Sequence, residues 1–280
     1  MSALGLFRFQ LRIRGLTPPG SPNSDFCRLR QFCDPILTKN TPSHPTREPS
    51  MSKTILGIGA HYDDCVWGIP GILLKALRKN YRVVILTLVG DYSNGKPGAD
   101  RAQELVEKTV QISKEYGIEM HFLDFASMRF GVTEESKRKV AEAVAAIEPD
   151  VAFQLWPHDH HTDHEMASQL SKIALRHSDR VLDLGQKTKS PSQIYWYDNG
   201  PGHTIGFEPN TFVDVTDDWP RAIEWLGRLM AMQANKPYDP KQLDGAQLGK
   251  EALARYRGQS CGVKYAEAVR STTAYPHEIF

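Results

Sequence analysis

Thr54–Gly59 (TILGIG), then Ala60-His61-Tyr62-Asp63-Asp64-Cys65, then Arg82–Leu88 (RVVILTL) decide the fold when read in order. The first is a short apolar run closed by glycine, which predicts a buried strand. Behind the His/Asp turn, Ile69, Ile72, Leu73, Ala76 and Leu77 recur at helical spacing, so one face of a helix is apolar. Arg82–Leu88 is β-branched and continuous, a second buried strand. The alternation then repeats. After a glycine-rich loop over Gly90–Ala99, a helix is expected over Ala102–Tyr116 with Gly117 as its C-cap. A strand follows at Glu119–Leu123, then a helix over Thr133–Ile147 with a partly formed capping box, Thr133-Glu134-Glu135-Ser136. Val151–Leu155 (VAFQL) reads as a strand and Asp163–Arg176 as a helix. Further strands are expected at Ile194–Tyr197 and Phe212–Val215, and helices at Trp219–Gln233 and Gln247–Tyr256. Strands alternating with helices imply βαβ units, an α/β fold with a mainly parallel sheet flanked by helices. In such sheets ligands bind beyond the carboxyl ends of the strands.

Composition narrows the function classes. The net charge of +1 gives no general attraction to nucleic acid. The longest strongly apolar run, Val83–Val89, is far short of the roughly 20 residues of a membrane span. Cys27, Cys33, Cys65 and Cys261 form no CxxC pair, so neither a disulfide framework nor a zinc knuckle is indicated. Residues 1–50 carry a charge of +4 and seven prolines, a composition that favours a disordered extension; residues 51–280 are expected to form one domain. Met51 stands just before the first strand, and a start there would leave 1–50 outside the protein. An organelle transit peptide is the alternative for an Arg-rich, acid-poor leader, against a cytoplasmic setting otherwise.

The unusual residues sit at the strand ends. His61, Asp63 and Asp64 crowd one turn, where two adjacent carboxylates repel each other unless a cation is present. A solvated turn with an Asp N-cap would explain them equally well in isolation. After the fourth strand comes Trp156-Pro157-His158-Asp159-His160-His161-Thr162-Asp163-His164. Four of the chain's ten histidines lie between His158 and His164, which a plain loop does not explain. Together the two loops supply a His/Asp/His set at one sheet edge, the open coordination of a catalytic zinc site.

These motifs resemble those of the PIG-L/LmbE-like zinc deacetylases. His61-Tyr62-Asp63-Asp64 is similar to that family's His-Pro-Asp-Asp, and His161-Thr162-Asp163-His164 to its His-Pro-Asp-His. Gly90-Asp91 with Arg101-Ala102-Gln103-Glu104, and Arg257-Gly258 with Gly262–Ala268, resemble its further segments. The resemblance implies a Rossmann-like fold and removal of an acetyl group from an N-acetylated small molecule, such as an N-acetylglucosamine conjugate. It implies one Zn²⁺ per chain on His61, Asp64 and His164, with Asp63 as general base. It implies His161, as imidazolium, beside the oxyanion and as proton donor, with Asp163 orienting it. Arg101, Asp91 and His203 become candidate substrate contacts, and a homo-oligomer is implied too. Tyr62 and Thr162 stand in place of prolines and Cys65 in place of glutamate, departures that bear on the substrate more than on the reaction.

Three other readings compete. An Asp159-His160-His161 phosphoesterase would need a second set of metal ligands, which the sequence lacks. A metallo-β-lactamase-like hydrolase nearly fits His158–His164, but one residue intrudes and the βα alternation suits that fold poorly. Nothing favours a non-catalytic sugar- or metal-binding module, since base, ligands and acid are all present.

Overall fold

A computed structural model describes residues 53–94 and 99–271. The expectations for residues 1–50 lie outside the described residues, as do His44 and His277. Among the described residues there are seven strands: β1 (Thr54–Gly59), β2 (Arg82–Asp91), β3 (Glu119–Ala126), β4 (Val151–Leu155), β5 (Gln193–Tyr197), β6 (Thr211–Asp214) and β7 (Ala266–Ser271). They form one sheet in the order β3-β2-β1-β4-β5-β7-β6. All neighbouring pairs from β3 to β5 are parallel, and β7 alone runs antiparallel to both its neighbours. The α-helices of the described residues are α1 (Asp64–Gly68), α2 (Pro70–Arg78), α3 (Ala102–Glu115), α4 (Glu134–Ile147), α5 (Thr162–Val181), α6 (Trp219–Gln233) and α7 (Gly245–Cys261).

β1 and β2 read as continuous apolar runs because both faces of a parallel sheet are covered. Leu56, Ile58, Val84 and Leu88 are fully buried among helix residues such as Leu73, Val140, Leu170 and Trp225. β1 is central. The chain leaves it in one direction through β2 and β3 and in the other through β4 and β5. The crevice between the carboxyl ends of β1 and β4 is therefore the topological switch point, where α/β sheets bind ligands. Both His/Asp loops leave the sheet there.

Details depart from the sequence reading. The capping box of α4 is complete, because Ser136 rather than a glutamate closes it: Thr133 N–H donates to Ser136 Oγ and Ser136 N–H to Thr133 Oγ1. The helix expected from Ile69 is α2, which starts at Pro70, and an additional short helix, α1, precedes it across Ile69. α5 runs on to Val181 with a kink at His177. β7 was not anticipated as a strand, since AEAVRS carries two charges, yet Glu267 is completely buried.

Candidate metal centre

The β1–α1 turn folds back on itself around Asp64. Its Oδ2 accepts the backbone N–H groups of Ala60 and His61 at 2.7 and 2.8 Å, which locks the turn that follows β1. Gly59 makes room for this, because a Cβ there would sit 2.9 Å from Asp64 Cβ. Asp63 holds the N-cap position of α1 but makes no capping bond, so its carboxylate is spared for other use. In the β4–α5 loop the N-cap is His161, whose Nδ1 accepts from Asp163 N–H at 3.2 Å.

From these two loops the histidines meet. His61 Nδ1 lies 3.2 Å from His164 Nε2, and Asp64 Oδ1 lies 3.2 Å from the same His164 nitrogen. The far nitrogen of each ring faces a carboxylate: His61 Nε2 is 3.0 Å from Asp163 Oδ2, and His164 Nδ1 is 3.1 Å from Asp159 Oδ2. With the ring protons on the carboxylate side, His61 Nδ1 and His164 Nε2 would both present lone pairs to one point. Two lone pairs and a carboxylate oxygen converging on one point repel unless a cation lies between them. A metal-bound histidine commonly donates its other N–H to a carboxylate; His61 makes that bond to Asp163, while His164 Nδ1 lies 3.1 Å from Asp159 Oδ2 in ion-pair contact without a hydrogen bond. His61, His161 and His164 also offer nitrogens that all lie within 4.8 Å of one another. Imidazole and carboxylate donors of this kind suit zinc.

The electrostatics agree. Burial opposes protonation of His164, but Asp64 and Asp159 outweigh it and its pKa is raised. Burial likewise opposes the Asp64 charge, and the imidazoles of His164 and His61 overcome it, so its pKa falls. The acidic pocket thus draws positive charge towards the histidines. Asp63 behaves oppositely: desolvation, then the neighbouring Asp64 charge, push it up to about 6. His161 is held below its ordinary value, first by burial and then by the neighbouring His61 and His164. That differs from the expected imidazolium. With Nδ1 accepting a backbone N–H, the neutral ring keeps its proton on Nε2.

Asp163 also differs from expectation. Its carboxylate accepts from His61, from Ser127 Oγ at 3.2 Å and from Met128 N–H at 2.9 Å, and does not turn to His161. Asp91 is not brought to the cavity either; its carboxylate accepts Ser93 N–H within its own turn. Arg101 and His203 both line the cavity, and Arg101 is at the same time paired with Glu104 at 2.7 Å. Cys65 is a small buried core residue whose thiol meets the Tyr197 hydroxyl at 3.3 Å.

The cavity over this centre has a volume of about 560 Å³, with walls from α3, α6 and the loop after β5. Several of its residues carried no sequence signal. Asn199 donates from Nδ2 to Asp64 Oδ1 at 2.8 Å, tying the β5 loop to the β1 turn. Gly200 follows with φ +81°, and a Cβ there would sit 2.1 Å from Trp67 Cη2, so only glycine lets the loop close onto Trp67. The loop is anchored below by the buried Asp198–Arg257 pair at 2.8 Å. A second buried pair, Lys250–Glu267 at 3.0 Å, fixes the start of α2, where Glu267 accepts Gly71 and Ile72 N–H. Arg257 and Glu267 both fall in the C-terminal segments singled out by resemblance, and their work is to brace the walls.

Fold and site together define an α/β protein with a histidine–carboxylate cluster, able to hold a metal ion, at the sheet's switch point. Residues 56–175, which hold both loops, match the PIG-L family model, described as GlcNAc-PI de-N-acetylase. Diacetylchitobiose deacetylase of Thermococcus kodakarensis is 25% identical over 234 residues, covering 78% of this chain and 82% of the relative. Two solved structures share the fold. The 4-carboxy-2-hydroxymuconate hydratase of Pseudomonas putida is 17% identical, with a TM-score of 0.68, covering 81% of this chain and 99% of that one. The N,N'-diacetylchitobiose deacetylase of Pyrococcus horikoshii is 22% identical, with a TM-score of 0.64, covering 79% and 84%. One fold thus serves a hydratase and a deacetylase, and the fold by itself does not choose between them.

Proposed function

We propose that this chain is a zinc-dependent N-deacetylase acting on an N-acetylated small molecule, a sugar of the N-acetylglucosamine type or its conjugate. One observation carries the reading. His61 Nδ1, His164 Nε2 and Asp64 Oδ1 converge on one point inside a segment that matches a de-N-acetylase family. Asp63 stands beside them with no capping bond. One zinc ion per chain at that point supplies a Lewis acid for an amide carbonyl and lowers the pKa of water towards about 7.

The chain's own groups do the rest. Asp63, which is not a ligand in this reading, takes the proton of the attacking water on its carboxylate. It returns that proton to the departing nitrogen, so one group serves as base and then acid. His161 offers its Nε2–H to the carbonyl oxygen as negative charge develops there. Such a donor is worth about 3–4 kcal/mol of transition-state stabilisation. Asp163 and Asp159 hold His61 and His164 in the orientation that exposes their lone pairs. The products are acetate and a free amine.

The test is acetate release by the zinc-loaded chain from N-acetyl sugars and their conjugates, with bound zinc counted per chain. Release is expected from at least one of them, at about one zinc per chain. Asp63→Ala should keep the zinc and lose turnover by about 10³-fold or more. No release from any N-acetyl sugar, or loss of zinc with retained turnover in Asp63→Ala, would overturn the assignment.

A further inference from the structure

The Asp64 carboxylate is largely occupied by the protein itself. An ionised carboxylate offers about four lone-pair sites on its two oxygens. Oδ2 accepts Ala60 N–H and His61 N–H at 2.7 and 2.8 Å, which fills both of its sites. Oδ1 accepts Asn199 Nδ2 at 2.8 Å, which fills one more. The remaining site is on the oxygen that lies 3.2 Å from His164 Nε2, where the two motif loops meet. Asn199 is buried and held from several sides. Its backbone N–H donates to Thr204 Oγ1 at 2.9 Å. Thr204 Oγ1 donates in turn to Asp159 Oδ2 at 3.3 Å, the oxygen that faces His164 Nδ1. Its chain neighbours are pinned as well: Asp198 is paired with the buried Arg257, and Gly200 closes onto Trp67. The loop after β5 thus reaches Asp64 through the Asn199 amide and His164 through Asp159. The amide's orientation has one source. A carboxylate only accepts, so the NH₂ faces Asp64, and the amide oxygen then has no partner among the described residues. A folded protein keeps a buried unpaired oxygen for a reason; here the reason is the bond on the other side of the amide.

We propose that Asn199 is a positioning residue for the metal centre, confining Asp64 to one lone pair on Oδ1 and so to a single-point bond with the cation. Chelation through both oxygens would require Oδ2 to release the N–H groups of the turn. A swing of Oδ1 would require it to release Asn199. A carboxylate that binds at one point leaves coordination positions for water and for an amide oxygen, as an open catalytic site needs. Partners that orient a metal ligand act strongly, and their loss costs about 10–100-fold in metal affinity or activity. Asn199 carries no motif signature, because its position opposite Asp64 comes from the pairing of β5 with β4 and from the turn that follows.

This inference rests on the proposed function only for Asp64 as a metal ligand, and metal binding tests it apart from turnover. Zinc affinity of the full chain is measured against a chromophoric chelator at neutral pH, in wild type, Asn199→Leu, Asp64→Ala and the double variant. Leucine keeps the approximate size of the side chain and removes its donor. Asn199→Leu should weaken zinc binding about 10–100-fold. In the Asp64→Ala background the same substitution should cost about 2-fold or less, because the carboxylate it acts through is gone. A general disturbance of the loop would weaken both backgrounds alike. Cobalt(II) gives a second reading: its visible absorption at saturating metal reports coordination number, and it should change with Asn199→Leu only where Asp64 is present. If Asn199→Leu melts early in its metal-free form, Asn199→Ala repeats the cycle with a smaller side chain and the same expected coupling. Equal losses in the two backgrounds, or no loss in either, would overturn the proposal. Coupled losses of zinc affinity in a chain that releases no acetate keep the role of Asn199 and sink the deacetylase reading. Acetate release with uncoupled losses does the reverse.

Discussion

Asp163→Asn distinguishes two roles for one carboxylate. The motif suggests that Asp163 serves His161, whereas the structure turns it to His61. In the native chain it accepts from His61 Nε2 at 3.0 Å, Met128 N–H at 2.9 Å and Ser127 Oγ at 3.2 Å. All three donors reach Oδ2, and Met128 N–H is also 3.1 Å from Oδ1, so an amide keeps its oxygen in the Oδ2 place and loses the anionic charge and the second contact to Met128 N–H rather than a whole partner. The His61 ring also loses the anionic partner that fixes its proton on Nε2 and its lone pair on Nδ1. Replacing such a carboxylate behind a metal histidine weakens metal binding about 10–100-fold, or about 1.4–2.8 kcal/mol. The backbone bond from Asp163 N–H to His161 survives the substitution, so His161 keeps its tautomer. Competition for zinc against a chromophoric chelator at neutral pH measures the effect directly. Zinc affinity equal to wild type, with only turnover reduced, would refute the assignment to His61 and restore the one to His161.

Two further outcomes concern stability. Glu267→Gln strands the Lys250 ammonium beside Gly68 O without its counter-charge, and removes one acceptor from the start of α2. Breaking a buried pair in this way costs about 3–5 kcal/mol; urea unfolding should show it, and Lys250→Met in the same chain should recover part of it. Lys189 at 2.8 Å and then Thr54 N–H at 2.7 Å hold the Asp150 pKa down; Asp150→Asn removes the charge that Lys189 pairs with and keeps one oxygen for Thr54 N–H. Because the folded pKa is the lower one, this stabilisation is full above the unfolded value and is lost as pH falls through the folded value. Allowing for solvent exposure, wild type and variant should differ by about 1 kcal/mol at pH 7 and converge as pH falls through the lowered folded value.

The sheet was legible where burial on both faces left continuous apolar runs, as in Ile55–Ile58 and Val83–Val89. It was not legible at β7, because Glu267 is buried there for its bond to Lys250 and reads as a surface residue. The two motif loops were legible from residue types alone. Their wiring was not. The Asp163–Met128 and Asn199–Asp64 bonds join residues on separate elements, and no local spacing encodes which carboxylate meets which imidazole. Tyr62 was visible as a departure from a motif, but the burial of its hydroxyl is a property of the packed cavity.

The path of the chain through the sheet also sets an order in time. Both ligand loops are complete once residue 164 has been synthesised, while Met230, Gln233 and Ala246 of the cavity wall follow much later. Glu267, which locks the start of α2, arrives later still, on the strand that reverses the sheet's direction. The residues that close the cavity are therefore the last part of the site to be made, and the two His/Asp loops precede their own enclosure by more than sixty residues.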